Sequence, residues 1–379
     1  MRVRVPAPED FTSRLHGPAL AARVGPALGV CFAICFLTGL LSHYAQEPSQ
    51  PIPFPTSPAW GYRLTQGLHV VTGTAAVPLL LVKLWTVYPR LLDRPGRLDV
   101  RHLLVTALER LSILVLVASA VFLLATGLAN SAQWYPWSFS FRTSHYAVAW
   151  VAVGSLVLHV GVKLAVVREE LRRPLEREER PSVLSRRGLL RSTWLAAGVA
   201  ALATAGQSVP WLRDVSVLGV RSGGGPQDLP VNKSAAAARV TPAATAPGWA
   251  LTVTHGDRSV RLTREELLAL EQRTEELPIA CVEGWSASGT WTGVRVRDLL
   301  DRVGAPRGSD VVVRSLQESG PFRTTVLQGG FADDDRTLVA LALGGEPLAL
   351  DHGYPARLIA PNRPGVLQTK WLDRLEVQA

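Results

Sequence analysis

The chain has 379 residues, of which 47% are hydrophobic, and this length leaves room for two or three domains. Its formal net charge is +9, but residues 1–211 carry 21 basic and 11 acidic side chains, whereas residues 212–379 carry 19 and 20. Because the positive excess lies beside hydrophobic stretches, it indicates membrane topology and excludes a nucleic-acid partner. A lipid bilayer is the expected surrounding of the first half.

Five stretches of about 20 apolar residues are long enough to cross a bilayer. They cover residues 18–42, 62–88, 103–129, 144–167 and 189–210. We predict a four-helix membrane domain over residues 1–170, followed by a charged segment and a fifth, anchoring helix over residues 171–211.

Basic residues alternate between the segments that flank these stretches. Residues 1–23, 83–102 and 163–191 contain 4, 5 and 9 Lys and Arg, against one each in residues 43–63 and 130–144. The positive-inside rule then predicts a multi-pass protein of the cytoplasmic membrane, with the amino terminus in the cytoplasm and the C-terminal domain outside.

Histidines within the apolar stretches are candidate haem ligands. His145 and His159 lie 14 residues apart, close to four helical turns, so they share one helix face about 21 Å apart. Two haems stacked across a core roughly 30 Å thick need such a separation. His69, about two turns into the second stretch, is expected to pair with His145 near the outer face, and His16 with His159 near the inner face.

Two further histidines leave the axial pairing open. His43 is an alternative outer ligand and His102 an alternative inner one, although either can equally be an interfacial residue. Glu109 and Arg110, in the third stretch, are polar enough to be considered for a quinone site.

The membrane half resembles the dihaem b-type cytochrome subunits of membrane formate dehydrogenases and hydrogenases. The resemblance covers residues 12–167 and is carried by Arg14-Leu15-His16, Thr38-Gly39-Leu40, His69 with Gly73, and the pair His145 and His159. It implies two b haems that pass electrons between a quinone and an external redox partner.

A pair of arginines precedes the fifth apolar stretch, in Ser185-Arg186-Arg187-Gly188-Leu189-Leu190. It resembles a twin-arginine export signal, a class that moves domains already folded around a cofactor. The alternative is ordinary positive-inside charge before a helix. The internal position predicts that this segment stays in the chain as an anchor.

The C-terminal part has the pattern of an α+β domain. We predict a Gly-, Pro- and Ala-rich linker over residues 212–248 and a domain over residues 249–379. Its strands are expected around Leu251 and Val253 and over 277–282, 311–316, 322–327, 337–343, 356–360 and 371–377, with short helices at 263–272 and 296–303. Many strands among few helices do not predict a doubly wound parallel sheet.

Cys281 is the one cysteine outside the membrane half, so it cannot form an internal disulfide there. It ends a predicted strand, just before a loop rich in Gly and Trp. A strand end holds a sulfur firmly, while small residues such as Gly284 and Gly289 let a bulky cofactor approach. A thiolate metal ligand explains the residue; the alternative is a buried cysteine that only packs.

Three motifs in order are similar to the molybdopterin-binding domain of the sulfite oxidase family, especially its bacterial branch of methionine sulfoxide reductase catalytic subunits. They are Cys281-Val-Glu-Gly-Trp285-Ser, Gly353-Tyr-Pro-Ala-Arg357-Leu-Ile-Ala-Pro361 and Lys370-Trp371-Leu, and the resemblance covers about residues 226–379. It implies that Cys281 binds an oxo-molybdenum centre and that Arg357, Lys370 and Asn232 contact the pterin. His352 is a weaker candidate, whose alternative is a surface-loop histidine.

The basic residues that follow the cysteine in animal and plant sulfite oxidases are replaced here by Glu283-Gly284-Trp285. A charge-poor, aromatic surround favours a neutral sulfoxide over sulfite. We therefore expect a membrane molybdenum oxidoreductase that reduces a sulfoxide with electrons from quinol. The alternatives are a dehydrogenase of sulfite or another small substrate, and a non-catalytic haem protein whose outer domain binds a partner.

Overall fold

The computed structural model describes residues 13, 15–52, 54–89, 99–174, 185–219 and 225–378. Five long helices come first: α1 Pro18–Ala45, α2 Gly61–Val87, α3 Val100–Ser131, α4 Phe141–Arg172 and α5 Arg186–Ala205. Each contains a stretch long and apolar enough to cross a membrane. They correspond to the five predicted stretches, and the paired Arg186 and Arg187 form the first turn of α5.

The described residues fall into two compact units. The helical unit comprises the residues up to Gly39, residues 68–205 and residues 215–217, and the sheet unit comprises residues 40–67, 206–214 and the residues from 218 onward. The connection between α1 and α2 therefore belongs to the sheet unit. The predicted boundary at residue 249 did not anticipate a unit assembled from three parts of the chain.

Small and hydroxyl side chains pack the helical unit. Val24, Leu79 and Ala197 bring α1, α2 and α5 into one buried cluster. The Thr74 and Thr204 hydroxyls lie 3.0 Å apart between α2 and α5. Because lipid tails are as apolar as leucine, such close packing and hydrogen bonding hold membrane helices together, while larger apolar side chains stay outward.

The sheet unit contains two five-stranded sheets. Its strands are β1 Ala250–His255, β2 Arg258–Thr263, β3 Arg273–Ala280, β4 Ser286–Arg295, β5 Val311–Ser315, β6 Thr324–Leu327, β7 Leu338–Leu343, β8 Glu346–Pro347, β9 Arg357–Ile359 and β10 Leu372–Val377. One sheet has the order β2-β1-β10-β5-β6; the other has β3-β4-β7-β8, with β9 also paired to β7. β1 and β10 are parallel and the other pairs antiparallel, as an α+β fold requires.

Short helices connect the strands of the sheet unit. They are α6 Ala235–Ala238, α7 Thr241–Ala244, α8 Arg264–Leu268, α9 Val296–Asp301 and α10 Gly329–Ala332. The capping box predicted at Thr263 is present, because its hydroxyl accepts from the Glu266 N–H and the Glu266 carboxylate accepts from the Thr263 N–H. The helix ends at Leu268 rather than Gln272.

Two sequence predictions differ from this fold. β4 occupies the segment expected to be a loop, because pairing with β3 on one side and β7 on the other outweighs the low strand propensity of its Ser and Gly residues. Residues 212–248 were predicted to be linker, with the family resemblance beginning near residue 226, but within them Ala235, Ala238 and Ala244 are buried against Trp371. Alanine is common both in flexible linkers and in closely packed buried contacts, so composition alone does not distinguish the two.

Candidate active site

Cys281 lies at the base of a tight turn directly after β3. Its N–H donates to the Trp285 carbonyl at 2.8 Å, and the Gly284 N–H donates to the Cys281 carbonyl at 3.0 Å. Gly284 has φ of +89°, a conformation that glycine adopts without steric cost. The turn holds the Cys281 side chain in the interior, where it is 1% exposed.

A carboxylate faces the sulfur of Cys281. Glu283 Oε2 lies 3.7 Å from the sulfur and accepts a hydrogen bond of 2.8 Å from Trp285 Nε1. Burial, reinforced by the Glu283 charge, raises the pKa of the Cys281 thiol. The thiolate therefore forms only when a cation offsets that environment, as a bound metal does.

Lys370 gathers the predicted pterin-binding residues near this sulfur. Its Nζ donates to Asn232 Oδ1 at 3.1 Å and to the Asp351 carbonyl at 2.9 Å. Burial and then the charge of Arg357 lower the pKa of Lys370 to about 7, while its interaction with Cys281 acts in the opposite direction. Asn232, Lys370 and Cys281 thus belong to one electrostatic neighbourhood.

Arg357, on β9, is buried with part of its guanidinium unused. Nη1 donates to the His352 carbonyl at 3.0 Å and Nη2 to the Gln368 carbonyl at 3.1 Å, whereas Nε has no partner. The group lies 4.8 Å from the ring centre of Trp291, and burial lowers the pKa of Arg357 to about 9. A buried cation with a free donor suits an anionic ligand, which offsets the cost of burial.

His352 is 2% exposed, so the surface-loop alternative is wrong. Its Nε2 lies 2.7 Å from the Pro226 carbonyl oxygen. Because that oxygen can only accept, Nε2 carries the proton and Nδ1 is the free acceptor. Burial lowers the pKa of His352 to about 4, so the ring is neutral at physiological pH. This contact ties residue 226, in the segment predicted as linker, to the site.

Arg363 is a buried cation that sequence reasoning missed. It is 1% exposed; Nη2 donates to the Val326 carbonyl at 2.8 Å, while Nε and Nη1 have no partner. Burial lowers the pKa of Arg363 to about 9. Its one sequence signal was a basic side chain six residues after Arg357. The neighbouring Pro364 forms a bridge with Ala280, which places this segment beside the strand that ends at Cys281.

The metal-binding chemistry of the site rests on a single sulfur. Among the residues that the structure describes, no group of three His, Cys, Asp or Glu side chains could hold a metal ion. A metal bound by Cys281 must then arrive with most of its other ligands on a carrier molecule. The surrounding Arg357, Lys370 and Asn232 fit a carrier that bears a phosphate.

The helical unit brings two of the predicted haem ligands together. The ring centroids of His69, on α2, and His145, on α4, lie 6.2 Å apart. Nδ1 of His69 is 3.1 Å from the Thr38 hydroxyl, and Nδ1 of His145 is 2.9 Å from the Thr126 hydroxyl. In each ring this leaves Nε2 as the nitrogen that can bind a metal.

The other predicted histidines have different surroundings. The His16 ring packs on Trp85 and Tyr88, with Nδ1 3.0 Å from the Trp85 carbonyl oxygen. His159 interacts electrostatically with Lys83, Lys163 and Glu109, and the last two form an ion pair of 2.6 Å. His43 Nε2 lies 3.9 Å from the Glu47 carboxylate. The side chain of His102 lies outside the described residues, as does Arg14.

Comparison with known proteins gives the class of the C-terminal domain. Residues 238–379 match the family model for the oxidoreductase molybdopterin binding domain. The uncharacterized oxidoreductase YuiH of Bacillus subtilis is 31% identical over 121 residues, which are 32% of this chain and 60% of that protein. Human mitochondrial sulfite oxidase is 30% identical over 144 residues, or 35% of this chain and 25% of that protein.

A third relative is the YedZ1 protein of Azospira oryzae, which is named for a protein-methionine-sulfoxide reductase subunit. It is 31% identical over 115 residues, covering 30% of this chain and 43% of that protein. The chain thus spans less than two thirds of the length of each of these relatives. Its C-terminal part is a molybdopterin-binding domain related to that of sulfite oxidase, and this domain places the chain among the oxidoreductase enzymes.

Proposed function

We propose that this protein is a membrane-bound molybdenum oxidoreductase that reduces a sulfoxide outside the cytoplasm with electrons from quinol. The observation that carries the proposal is the buried neighbourhood of Cys281. The Cys281 side chain packs in one cluster with Trp291, the Arg357 guanidinium lies 4.8 Å from the Trp291 ring centre, and Lys370 interacts electrostatically with both Cys281 and Arg357. A sulfur ligand together with buried cations fits a cofactor that is both a metal carrier and an anion.

The described residues fit a molybdopterin in specific ways. The Cys281 sulfur is the protein ligand to molybdenum, and the free Nε of Arg357 and the Lys370 ammonium are available to the pterin phosphate. Asn232 positions Lys370 through its amide oxygen. When bound, the molybdenum supplies oxygen-atom transfer, and the protein orients it and excludes water.

Reduction of a neutral substrate is the preferred direction. The Glu283 carboxylate, 3.7 Å from the sulfur, disfavours a sulfite anion but not a neutral sulfoxide, because like charges repel strongly away from water. The overall reaction takes up two electrons and two protons, breaks the sulfur–oxygen bond, and releases a thioether and water. YedZ1, named for a methionine-sulfoxide reductase subunit, agrees with this substrate class.

We infer that b haems carry the electrons. A metal bonded at about 2.0 Å to one nitrogen of each of two imidazoles holds the ring centroids roughly 6 Å apart, and the separation of His69 and His145 supports this arrangement. Gly39 also supports it, because a Cβ there would lie 3.1 Å from the His69 ring. The inner pair, His16 with His159, stays a prediction, as do the quinone partner, the twin-arginine export route and the location in the cytoplasmic membrane.

The second candidate runs the same site in reverse, as a sulfite dehydrogenase that feeds electrons to quinone. Arg363 favours it, because a buried guanidinium with two free donors is suited to a small oxyanion. The sulfite oxidase relative agrees with this alternative as well.

Metal analysis and turnover separate these candidates. We expect the purified protein, from cells that make the cofactor, to contain molybdenum near one per chain and to oxidise a quinol analogue with a methyl sulfoxide as acceptor. Rapid sulfite oxidation with no sulfoxide turnover would select the dehydrogenase. A protein without molybdenum would support the non-catalytic haem protein instead.

A further inference from the structure

Arg363 is a buried cation to which the sheet unit supplies one hydrogen-bond acceptor. Its side chain is 1% exposed, Nη2 donates to the Val326 carbonyl at 2.8 Å, and Nε and Nη1 have no partner. Within the part of the chain that the structure describes, no acidic group offsets its charge. Because a buried charge is costly unless it is paired and hydrogen-bonded, the two free nitrogens indicate a ligand.

Arg297 shows how the same unit satisfies a buried arginine with its own groups. It is 2% exposed; Nε donates to Asp301 Oδ1 at 2.9 Å, Nη1 to Asp333 Oδ1 at 3.0 Å, and Nη2 to the Ala305 carbonyl at 2.8 Å. Every guanidinium nitrogen of Arg297 thus has a partner, and two carboxylates balance its charge. The contrast indicates that Arg363 is built to receive an anion from outside the chain.

The surroundings of Arg363 differ from those of the pterin-binding cations. Lys370 interacts electrostatically with Arg357 and Cys281, whereas Arg363 has no charged neighbour among the described residues. Its guanidinium lies 5.7 Å from the ring centre of Phe331, on α10, and beside the edge strand β6. An anion at Arg363 is therefore a different ligand from the pterin phosphate.

The loop between α1 and α2 lies against the same edge of β6. The Pro48 carbonyl accepts a hydrogen bond of 2.7 Å from the Val326 N–H, so the loop and Arg363 engage the two backbone groups of one residue. Two positions further along the chain, Gln328 Nε2 donates to the Gln50 carbonyl at 3.4 Å. Loop residues 48–50 thus border the position of the guanidinium.

Gln50 adds a free hydrogen-bond acceptor. It is 2% exposed, its Nε2 donates to the Ala45 carbonyl at 3.0 Å, and its Oε1 has no partner. Because a carbonyl can only accept, the amide nitrogen faces Ala45 and the free atom is the oxygen. Ala45 packs against Ala280, and Ala280 forms a bridge with Pro364, the residue after Arg363. The Gln50 amide and Arg363 are therefore joined to one buried neighbourhood from two directions.

We propose that Arg363 and Gln50 bind a small carboxylic acid that carries a hydroxyl or ammonium group next to its carboxylate. Nη2 of Arg363 has a second N–H, so one edge of the planar guanidinium keeps two donors for the carboxylate. The hydroxyl or ammonium donates to Gln50 Oε1, which a bare carboxylate would leave unpaired. Such a ligand is either a free hydroxy or amino acid or the amino-acid end of a sulfoxide substrate. The inference goes beyond the proposed function and does not require it.

Thermal unfolding of the cofactor-free, full-length protein in sodium glycolate or sodium acetate tests the site. A ligand that binds only the folded protein raises its melting temperature with concentration, and we expect glycolate to bind more tightly than acetate. Arg363→Met should weaken glycolate binding by on the order of 10-fold or more, the cost of losing hydrogen bonds to a charged group. Arg314→Met, at an exposed arginine paired with Glu376 at 3.3 Å, controls for general salt effects and should bind glycolate as the native protein does.

Two further variants divide the site into its parts. Arg363→Lys keeps the charge and serves where Arg363→Met does not fold; it should also weaken glycolate binding, because an ammonium lacks the planar pair of donors. Gln50→Met should reduce the preference for glycolate over acetate by about 3- to 10-fold, the cost of one hydrogen bond, and leave acetate binding unchanged. Equal losses for the two ligands in Gln50→Met would contradict the two-point site.

Turnover of the molybdenum-loaded enzyme distinguishes the two sources of the ligand. Methionine sulfoxide carries a carboxylate and an ammonium group, whereas dimethyl sulfoxide carries neither. A higher KM for methionine sulfoxide alone in Arg363→Lys would identify the ligand as part of the substrate. Weaker glycolate binding with both KM values unchanged would identify it as a free acid.

A native protein whose melting temperature responds to neither ligand beyond the response of Arg363→Lys would overturn the inference and leave the proposed function standing. Native protein that contains molybdenum, binds glycolate and reduces no sulfoxide would instead overturn the proposed function alone.

Discussion

The two units prepare a side chain for a cofactor by different means. In the helical unit, threonine hydroxyls engage Nδ1 of His69 and His145. In the sheet unit, backbone carbonyls engage Nη1 and Nη2 of Arg357 and leave Nε free. Carbonyls in the middle of a helix are used within the helix itself, so His69 and His145 are held by side-chain hydroxyls. Helix ends, as at Trp85 beside His16, and loops have carbonyls to spare.

This difference predicts which substitutions in each unit would weaken cofactor binding. A ligand-orienting group in the helical unit can be deleted by a single side-chain substitution, as at Thr126. For Arg357 in the sheet unit the corresponding groups are main-chain atoms, so there only the ligand side chain itself can be removed. Substitutions in the helical unit should therefore change haem retention in graded steps, whereas substitution of a ligand in the sheet unit should abolish most of the activity.

The largest effect is expected at Cys281. Cys281→Ser should lower sulfoxide turnover by more than about 100-fold, because it removes the protein ligand itself rather than a supporting group. Steady-state assays with reduced methyl viologen, beside molybdenum content, measure this. Cys31→Ser, in α1 of the helical unit, is the matched control and should retain activity; equal losses in both variants would contradict the assignment.

His145→Ala should remove one of the two proposed haems and halve the haem absorbance per chain, since an alanine would leave the iron without one axial ligand. The pyridine haemochrome assay measures the content. His43→Ala is the control, because His43 lies against Glu47. If His43→Ala rather than His145→Ala loses haem, the outer pairing is wrong. His159→Ala tests the inner pair in the same way, and unchanged haem content there would remove that assignment.

Thr126→Val should weaken haem retention by about 10-fold, the lower end of the cost of losing a group that orients a metal ligand. The hydroxyl bonds Nδ1 of His145, and valine keeps the side-chain shape without that bond. Haem transfer to apomyoglobin measures retention. Thr65→Val, whose hydroxyl bonds only the Tyr62 carbonyl of its own helix, should leave retention unchanged. Identical transfer rates in both variants would show that the hydroxyl does not orient the ring.

The smallest effect is a pH dependence at Lys370, whose pKa is lowered to about 7 from an ordinary 10.5. The pterin phosphate binds the protonated form, so retention of the cofactor should weaken as pH rises from 6 to 8.5. In cofactor-free protein the sign is opposite. The unfolded chain holds the extra proton between about pH 7 and 10.5, so stability rises with pH in that window.

Lys370→Met should flatten both profiles, measured as molybdenum content after dialysis and as thermal unfolding of cofactor-free protein. Lys233→Met is a nearby lysine control and should keep both slopes. A slope that persists in Lys370→Met would assign the titration to another group.

Much of the candidate site was predictable because its signals are local. The Cys281 turn, the Gly353 to Pro361 motif and Lys370 are short runs whose side chains converge as expected. Arg363 was missed, and the burial of His352 could not be predicted, because burial depends on which segments cover a residue. The contacts of Pro55 with Asn362 and of Pro48 with Val326 were missed for the same reason, since these residues lie about 280 to 310 positions apart in the chain.

The sequence by itself determined the five apolar helices, the α+β character of the domain and the single cysteine of the C-terminal domain, because hydropathy, strand alternation and the position of a cysteine can be read from short segments. Only the tertiary structure decided that Ala235, Ala238 and Ala244 pack against Trp371, that β4 forms where a loop was expected, and that Ala45 and Tyr62 pack against Ala280, the residue before Cys281. Those outcomes depend on long-range pairing and burial, which no window of the sequence contains.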